Sequence, residues 1–467
     1  MLDDIADFIA DFWYIPLIVI VAGASIALGF GLIDFDHDSS SDSNVCKVTI
    51  VADEGIETYY GGGEYDKGKS VELDNIVCVG WFFDGWYDSD GKLLSGDQEY
   101  KFTVDKSCTI YAKTTRGYGV SLYKMPGIKT ITGHHSYHLD EDATITAKAY
   151  PGSTFTGWYD LNKNLVSTEP TLTLTDHKDV ALFAYTSSPN PYLGDNARTI
   201  VHNENFSETD SYTILRDFRT REVVDYSNGN HGWDLSVAPG QYELLVKGTK
   251  TDGHYGVIYK SYIVDGVSTN VYRWDYKEES YSLTWELDTS VYRDYINTNV
   301  KRWPPNDDAR AKFVNYNSGS VQTIAGKLSD LSSEMSSLDR ANFVLKFVQL
   351  CTGYELDHYY VNSDQAEYYK YPAETLFEGK GDCEDTAILY CALMKAMGYD
   401  VALLKYIGGE YKDNGHVAAA VAFDSVPNGT YYNKNGLKFY YCETTSDTMV
   451  VGEIWTDYNK GTVIVIP

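Results

Sequence analysis

The sequence predicts a multidomain chain: an N-terminal transmembrane helix, β-rich repeat modules, a β-sandwich-like module, and a C-terminal α+β domain. Three observations carry this expectation. Residues 12–33 contain no charged side chain. The string Gly-Trp-Tyr-Asp occurs twice, at 85–88 and 157–160, each time among alternating apolar and polar residues. Further on, Leu338, Ala341, Phe343, Val344, Phe347 and Val348 fall at helical spacing.

With 467 residues the chain exceeds what a single core serves, so several domains are expected. Its formal charge is -29, from 67 acidic and 38 basic side chains. A nucleic-acid partner is excluded on that balance, because a phosphate-binding face needs a basic patch. Residues 1–11 are an acidic N-terminus, and 12–33 (FWYIPLIVIVAGASIALGFGLI) are long enough to cross a bilayer as a helix. Trp13 and Tyr14 suit the headgroup layer. A basic leader region is missing and the apolar run is long, so an uncleaved anchor is expected rather than a cleaved signal peptide. Aspartates flank the segment on both sides and the first basic residue is Lys47, so charge bias gives no sidedness. An acidic linker, 34–44, follows.

The two Gly-Trp-Tyr-Asp units define β modules at 45–115 and 116–187, with period-2 strands and Asp-Gly or Gly-Asp turns. The pair resembles the internalin-type B repeat, or Listeria–Bacteroides repeat. That resemblance implies an outward-facing chain whose repeats serve adhesion or act as a stalk, and the stalk is favoured. His134, His135 and His138 lack a further ligand at metal-binding spacing and read as loop histidines. Pro189 and Pro191 mark a boundary, and 195–285 read as the β-sandwich-like module. The seven cysteines are an odd set; a bridge among Cys46, Cys78 and Cys108 is expected only in an oxidising compartment.

The final domain, 286–467, contains GKGDCEDTAILY at 379–390, a cysteine among three carboxylates. Glycines at 379 and 381 permit a sharp entry turn, Asp382 is a good N-cap, and Asp385 completes a capping box. On this expectation the carboxylates serve the helix and are not aimed at the sulfur. Cys383 then stands in the first turn of a buried helix, where the dipole and N–H groups favour a thiolate and an oxyanion. Gly398 is placed to end that helix. His416 opens a strand and Glu443 ends the next, so hairpin pairing makes them cross-strand neighbours, roughly 5 Å apart at Cβ. Thiol, imidazole and carboxylate together form a nucleophilic triad. Cys391, two turns further along, reads as inert.

These residues, with YPAETLFEGKGDCEDTAILYCALMKAMGYDVALL, NGHVAAAVAF and YYCETTSD around them, resemble the transglutaminase-like superfamily of papain-like cysteine acyltransferases and peptidases. The resemblance implies Cys383 as nucleophile, His416 as base and Glu443 as orienting acid. Glu443 stands where many members have Asp, Thr444-Thr445 replace Pro-Thr, and Ala418 replaces a common Trp. Gln349 lies where an oxyanion helper can sit. No cofactor is required; calcium on Asp382, Glu384 and Asp385 is the secondary expectation, as oxygen-only ligands suit it. Tyr359, Tyr360, Tyr368, Tyr369 and Tyr371 either line a peptide cleft or pack in the core. The expected function is a single-pass membrane enzyme at the cell surface, acting on protein or peptide substrates. It transfers an acyl group through a Cys383 thioester on peptide or isopeptide bonds, as a peptidase or a transglutaminase. The alternative is a non-catalytic adhesion protein in which this domain is a scaffold.

Overall fold

A computed structural model describes residues 45–200, 203–355, 368–406, 415–454 and 461–467. The expected anchor and acidic linker lie outside these residues. Among the described residues no helix is long and apolar enough to cross a membrane. The chain divides into two compact units, one whose described part runs from Val45 to Val264 and one whose described part begins at Asp265.

In the first unit the two repeats have the same topology. In the first, Val45–Ala52 runs parallel to Cys108–Arg116, which pairs antiparallel with Trp81–Tyr87. In the second, Tyr118–Lys124 runs parallel to Val180–Thr186, which pairs antiparallel with Phe155–Tyr159. A three-stranded sheet accompanies each. The Gly-Trp-Tyr-Asp string has a physical cause at each position. Gly85 and Gly157 sit at matching register shifts with φ of 137° and 155°, where a Cβ would strike Leu93 or Leu165 at 2.5 Å. Trp86 and Trp158 are fully buried core residues. Asp88 and Asp160 each accept two backbone N–H bonds that close the following turn.

The third module is sandwich-like: the pair Leu193–Ile200 and Trp233–Val237 shares a core with a four-stranded antiparallel sheet. It ends at Val264, earlier than the expected boundary at 285. The correction follows from packing. Val267–Tyr276 and Glu279–Asp288 form their own hairpin, whose Trp274 ring lies against Phe343 and Phe347 in the second unit.

The second unit contains the helices α1 (Thr289–Ile296), α2 (Asp307–Ala311), α3 (Gly319–Leu331), α4 (Ser337–Cys351), α5 (Pro372–Glu378) and α6 (Cys383–Ala396). The expected helical stripe is α4, started by a Ser336 side-chain cap, with Ala341, Phe343, Val344, Phe347 and Val348 buried. Helix α6 is buried without a break from Glu384 to Met394, and Gly398 ends it as expected. It packs on a five-stranded antiparallel sheet in the order Tyr431–Lys434, Leu437–Cys442, His416–Ala422, Val401–Tyr406, Thr462–Val465. The alanines of HVAAAVA let the helix approach this sheet closely. None of the seven cysteines is joined in a disulfide.

Gly157→Ala is expected to destabilise the second repeat by about 1–3 kcal/mol, through the positive φ and the Leu165 contact. Urea unfolding of the full chain followed by tryptophan fluorescence measures it, because Trp158 is buried next to the substitution.

Candidate active site

The site is built where the first turn of α6 meets the open end of the sheet. The His416–Ala422 and Leu437–Cys442 strands pair with Ala419 opposite Cys442 and Ala420 opposite Tyr441. Glu443 is therefore not directly opposite His416, as expected from the sequence, but two residues off in register. The pleat still places both on one face, and the diagonal contact is short: His416 Nε2 lies 3.0 Å from Glu443 Oε2.

Glu443 is fully buried, and its carboxylate is well supplied with donors. Oε2 also accepts from the Tyr441 hydroxyl at 2.5 Å, and Oε1 accepts from the Thr445 backbone N–H at 3.0 Å and its hydroxyl at 2.7 Å. Burial alone would raise this carboxyl, but the bond and charge of His416, with Tyr441 and Thr445, bring it down to about 2. Burial would likewise lower His416, yet its hydrogen bonds to Cys383 and Glu443 and their charges push it up to about 10. Since Nε2 faces Glu443, the Nδ1 edge is the one presented to the thiol. Tyr441 went unnoticed in the sequence, and Thr445 was noted only as a departure from Pro-Thr, not as a donor to Glu443. For Tyr441 the signal was the period of two, since it stands two residues before Glu443 at the end of the Leu437–Cys442 strand.

The acidic string around Cys383 behaves differently from expectation. Asp382 is the N-cap residue of α6 but makes no side-chain cap bond. Asp385 does not close a capping box; its Oδ1 accepts from the Lys370 backbone N–H at 2.7 Å. Glu384 is aimed at the sulfur after all: Cys383 Sγ donates to its Oε2 at 3.2 Å. Among the described residues no group of three His, Cys, Asp or Glu side chains is arranged to hold a metal ion. Gln349 is also redirected. Its amide N–H groups donate to the Glu443 carbonyl at 2.8 Å and the Met449 carbonyl at 3.0 Å, so α4 braces the acid rather than offering donors to an oxyanion.

The other candidates separate clearly. Cys391 is fully buried, and burial pushes its thiol up to about 12. Tyr369 and Tyr371 pack on Phe313, and Tyr368 lies under the Arg302 guanidinium; Tyr359 and Tyr360 lie outside the described residues. His134 accepts from the Leu122 N–H, His135 stacks on Tyr137 and His138 stacks on Phe82, each with its own partner. Tyr354, unremarked in the sequence, pairs in register with Gly381 and is exposed, close to the charges of Cys383 and its acidic neighbours.

Residues 323–438 match the family described as the transglutaminase-like superfamily, and residues 46–116 and 125–186 match the divergent InlB B-repeat domain. Among solved structures, Legionella pneumophila LapG is similar at 19% identity, over 32% of this chain and 78% of that one, with a TM-score of 0.21. A protein titled as a TGase shares 12% identity over 73% of this chain and 76% of its own, with a TM-score of 0.22. A candidate cysteine protease from Cytophaga hutchinsonii shares 10% over 58% and 81%, with a TM-score of 0.20. No curated protein matches the chain.

The His416 contribution to stability is fully present below its ordinary value of 6.5 and is lost as pH rises through about 10. That of Glu443 is present above its ordinary 4.5 and is lost as pH falls through about 2. In Glu443→Gln the His416 imidazole is expected to titrate at least about one pH unit lower than in the parent chain, followed by NMR of the ring protons. Glu384→Gln removes a negative charge from beside the sulfur and is expected to speed iodoacetamide labelling of Cys383 at neutral pH by about tenfold, measured by mass spectrometry.

Proposed function

We propose that this chain, which carries a transglutaminase-like domain preceded by two divergent InlB B-repeats, is a cysteine acyl-transfer enzyme acting on peptide or isopeptide bonds. The observation that supports this most is the convergence of the Cys383 thiol, the His416 imidazole and the buried Glu443 carboxylate. His416 takes the Cys383 proton and is held as imidazolium by Glu443. The thiolate adds to the carbonyl carbon, forming a C–S bond and a tetrahedral oxyanion. Cys383 is the first residue of α6, where backbone N–H groups have no partner within the helix, and we assign its N–H as an oxyanion donor. The C–N bond then breaks and His416 returns the proton to the leaving amine, leaving a thioester on Cys383. Water or a second amine attacks that thioester with His416 again as base, which releases an acid or a new amide.

The proposed steps pass through no metal; of the three carboxylates named for calcium, Asp385 accepts from the Lys370 N–H and Glu384 from the Cys383 thiol. Surface placement through an anchor at 12–33 belongs to the same proposal and follows from the apolar segment and the repeats. One contact favours the alternative of a non-catalytic surface binder: the Glu384 carboxylate at 3.2 Å opposes a thiolate.

Two measurements separate these readings. Cys383→Ala should abolish fast iodoacetamide labelling of the full chain at pH 7, whereas labelling of Cys383 no faster than that of a urea-unfolded control favours the binder. Incubation of the full chain with a cell-surface extract and a fluorescent amine reports the acceptor. Released fragments mark hydrolysis, and incorporated label marks amine transfer.

A further inference from the structure

The turn that delivers Cys383 is wrapped around one buried ammonium group. Lys370 precedes α5, and its side chain is 1% exposed. Its Nζ lies 3.1 Å from Glu378 at the end of α5 and 3.6 Å from Asp385 in the first turn of α6. It also donates to the Lys380 carbonyl at 3.3 Å, while the Lys370 backbone N–H donates to Asp385 Oδ1. Three positions between 378 and 385 are thus tied to one residue, and Cys383 lies among them. Gly381 belongs to the same arrangement. A Cβ there would meet the Asp385 Cβ at 2.6 Å, so the side chain of Asp385 folds back over the glycine to reach the lysine.

A buried ionic cluster of this kind is a poor stabiliser compared with apolar residues of the same volume, so its use calls for another explanation. Two aspartates expected to cap α6 do not do so, and the entry turn is held from the lysine side instead. Glu378 is fixed in turn by the Tyr292 hydroxyl at 2.5 Å, and the neighbouring Glu374 by Arg302 at 2.7 Å. The anchor is therefore itself immobilised.

We propose that Lys370 is a positioning residue for Cys383: its ammonium, bound to Glu378, Asp385 and the Lys380 carbonyl, sets the thiol against His416 and supplies internally the positive charge that a metal would bring to this acidic turn. The inference rests on the acyl-transfer reading above. It assigns the long sequence separation from 370 to 383 a single purpose, since displacement of a nucleophile by about 1 Å is enough to cost up to about a hundredfold in rate.

The test is the rate of iodoacetamide labelling of Cys383 in the full chain at pH 7. Lys370→Met keeps the aliphatic stem and removes the charge, and is expected to label at least about tenfold more slowly. Lys370→Arg keeps the cation and is expected to recover most of that loss. A role in packing alone gives the opposite order, with Met tolerated and Arg not, and overturns the proposal. If the Met variant does not fold by circular dichroism, the neutral triple replacement Lys370→Met, Glu378→Gln, Asp385→Asn leaves no member of the cluster charged and is measured instead. A tenfold loss there supports the proposal, and a parental rate overturns it. Failure of the underlying reading looks different: His416→Ala then labels at the parental rate, whatever Lys370 does.

Discussion

The buried carboxylate of Glu443 is the constraint on which the site depends. An ion with no exposure is tolerated only if its oxygens are met by donors, and here Tyr441, Thr445 and His416 meet them. Satisfying that charge fixes the imidazole by one edge and turns the other toward the helix that carries Cys383. The same demand explains Gln349. A side chain from α4 secures the carbonyl of Glu443 and that of Met449, so the segment after the strand cannot drift from the sheet.

A buried cation in the same unit has the same problem. Lys370 is as deeply buried as Glu443, and its partners come from the end of α5, the connecting turn and the start of α6. Two buried charges of opposite sign are therefore built into this region, one holding the His416 imidazole and the other the entry turn of α6. The cost of burying each is met by neighbours that must be in place first, so the geometry is largely organised before any substrate arrives.

The first unit obeys simpler physics. Each repeat buries one tryptophan, opens a bulge with one glycine and closes a turn with one aspartate, and the pattern recurs because each step solves the same local problem. Trp86 and Trp158 anchor separate cores, while residues of the second repeat and the third module share another. A succession of small β cores suits a spacer or a display surface, in line with the function proposed for the chain.

The sequence by itself determined whatever depends on short-range chemistry. Repetition gave the two modules, apolar spacing gave α4 and α6, and strand alternation around His416 and Glu443 was enough to bring acid and base together. That last result tolerated a register error of two residues, because a pleated strand returns to the same face after two. Only the tertiary structure decided what the acidic string does. Caps were expected for Asp382 and Asp385 because capping is the local option for a carboxylate at a helix start. A buried ammonium from a residue before α5 outbids that option for Asp385, and the sulfur takes Glu384. The boundary at Val264 was hidden for the same reason: a hairpin looks alike in either unit until its tryptophan finds the phenylalanines of α4. Local pattern sets what a residue is able to do, and the partner that arrives from elsewhere in the chain selects which of those things it does.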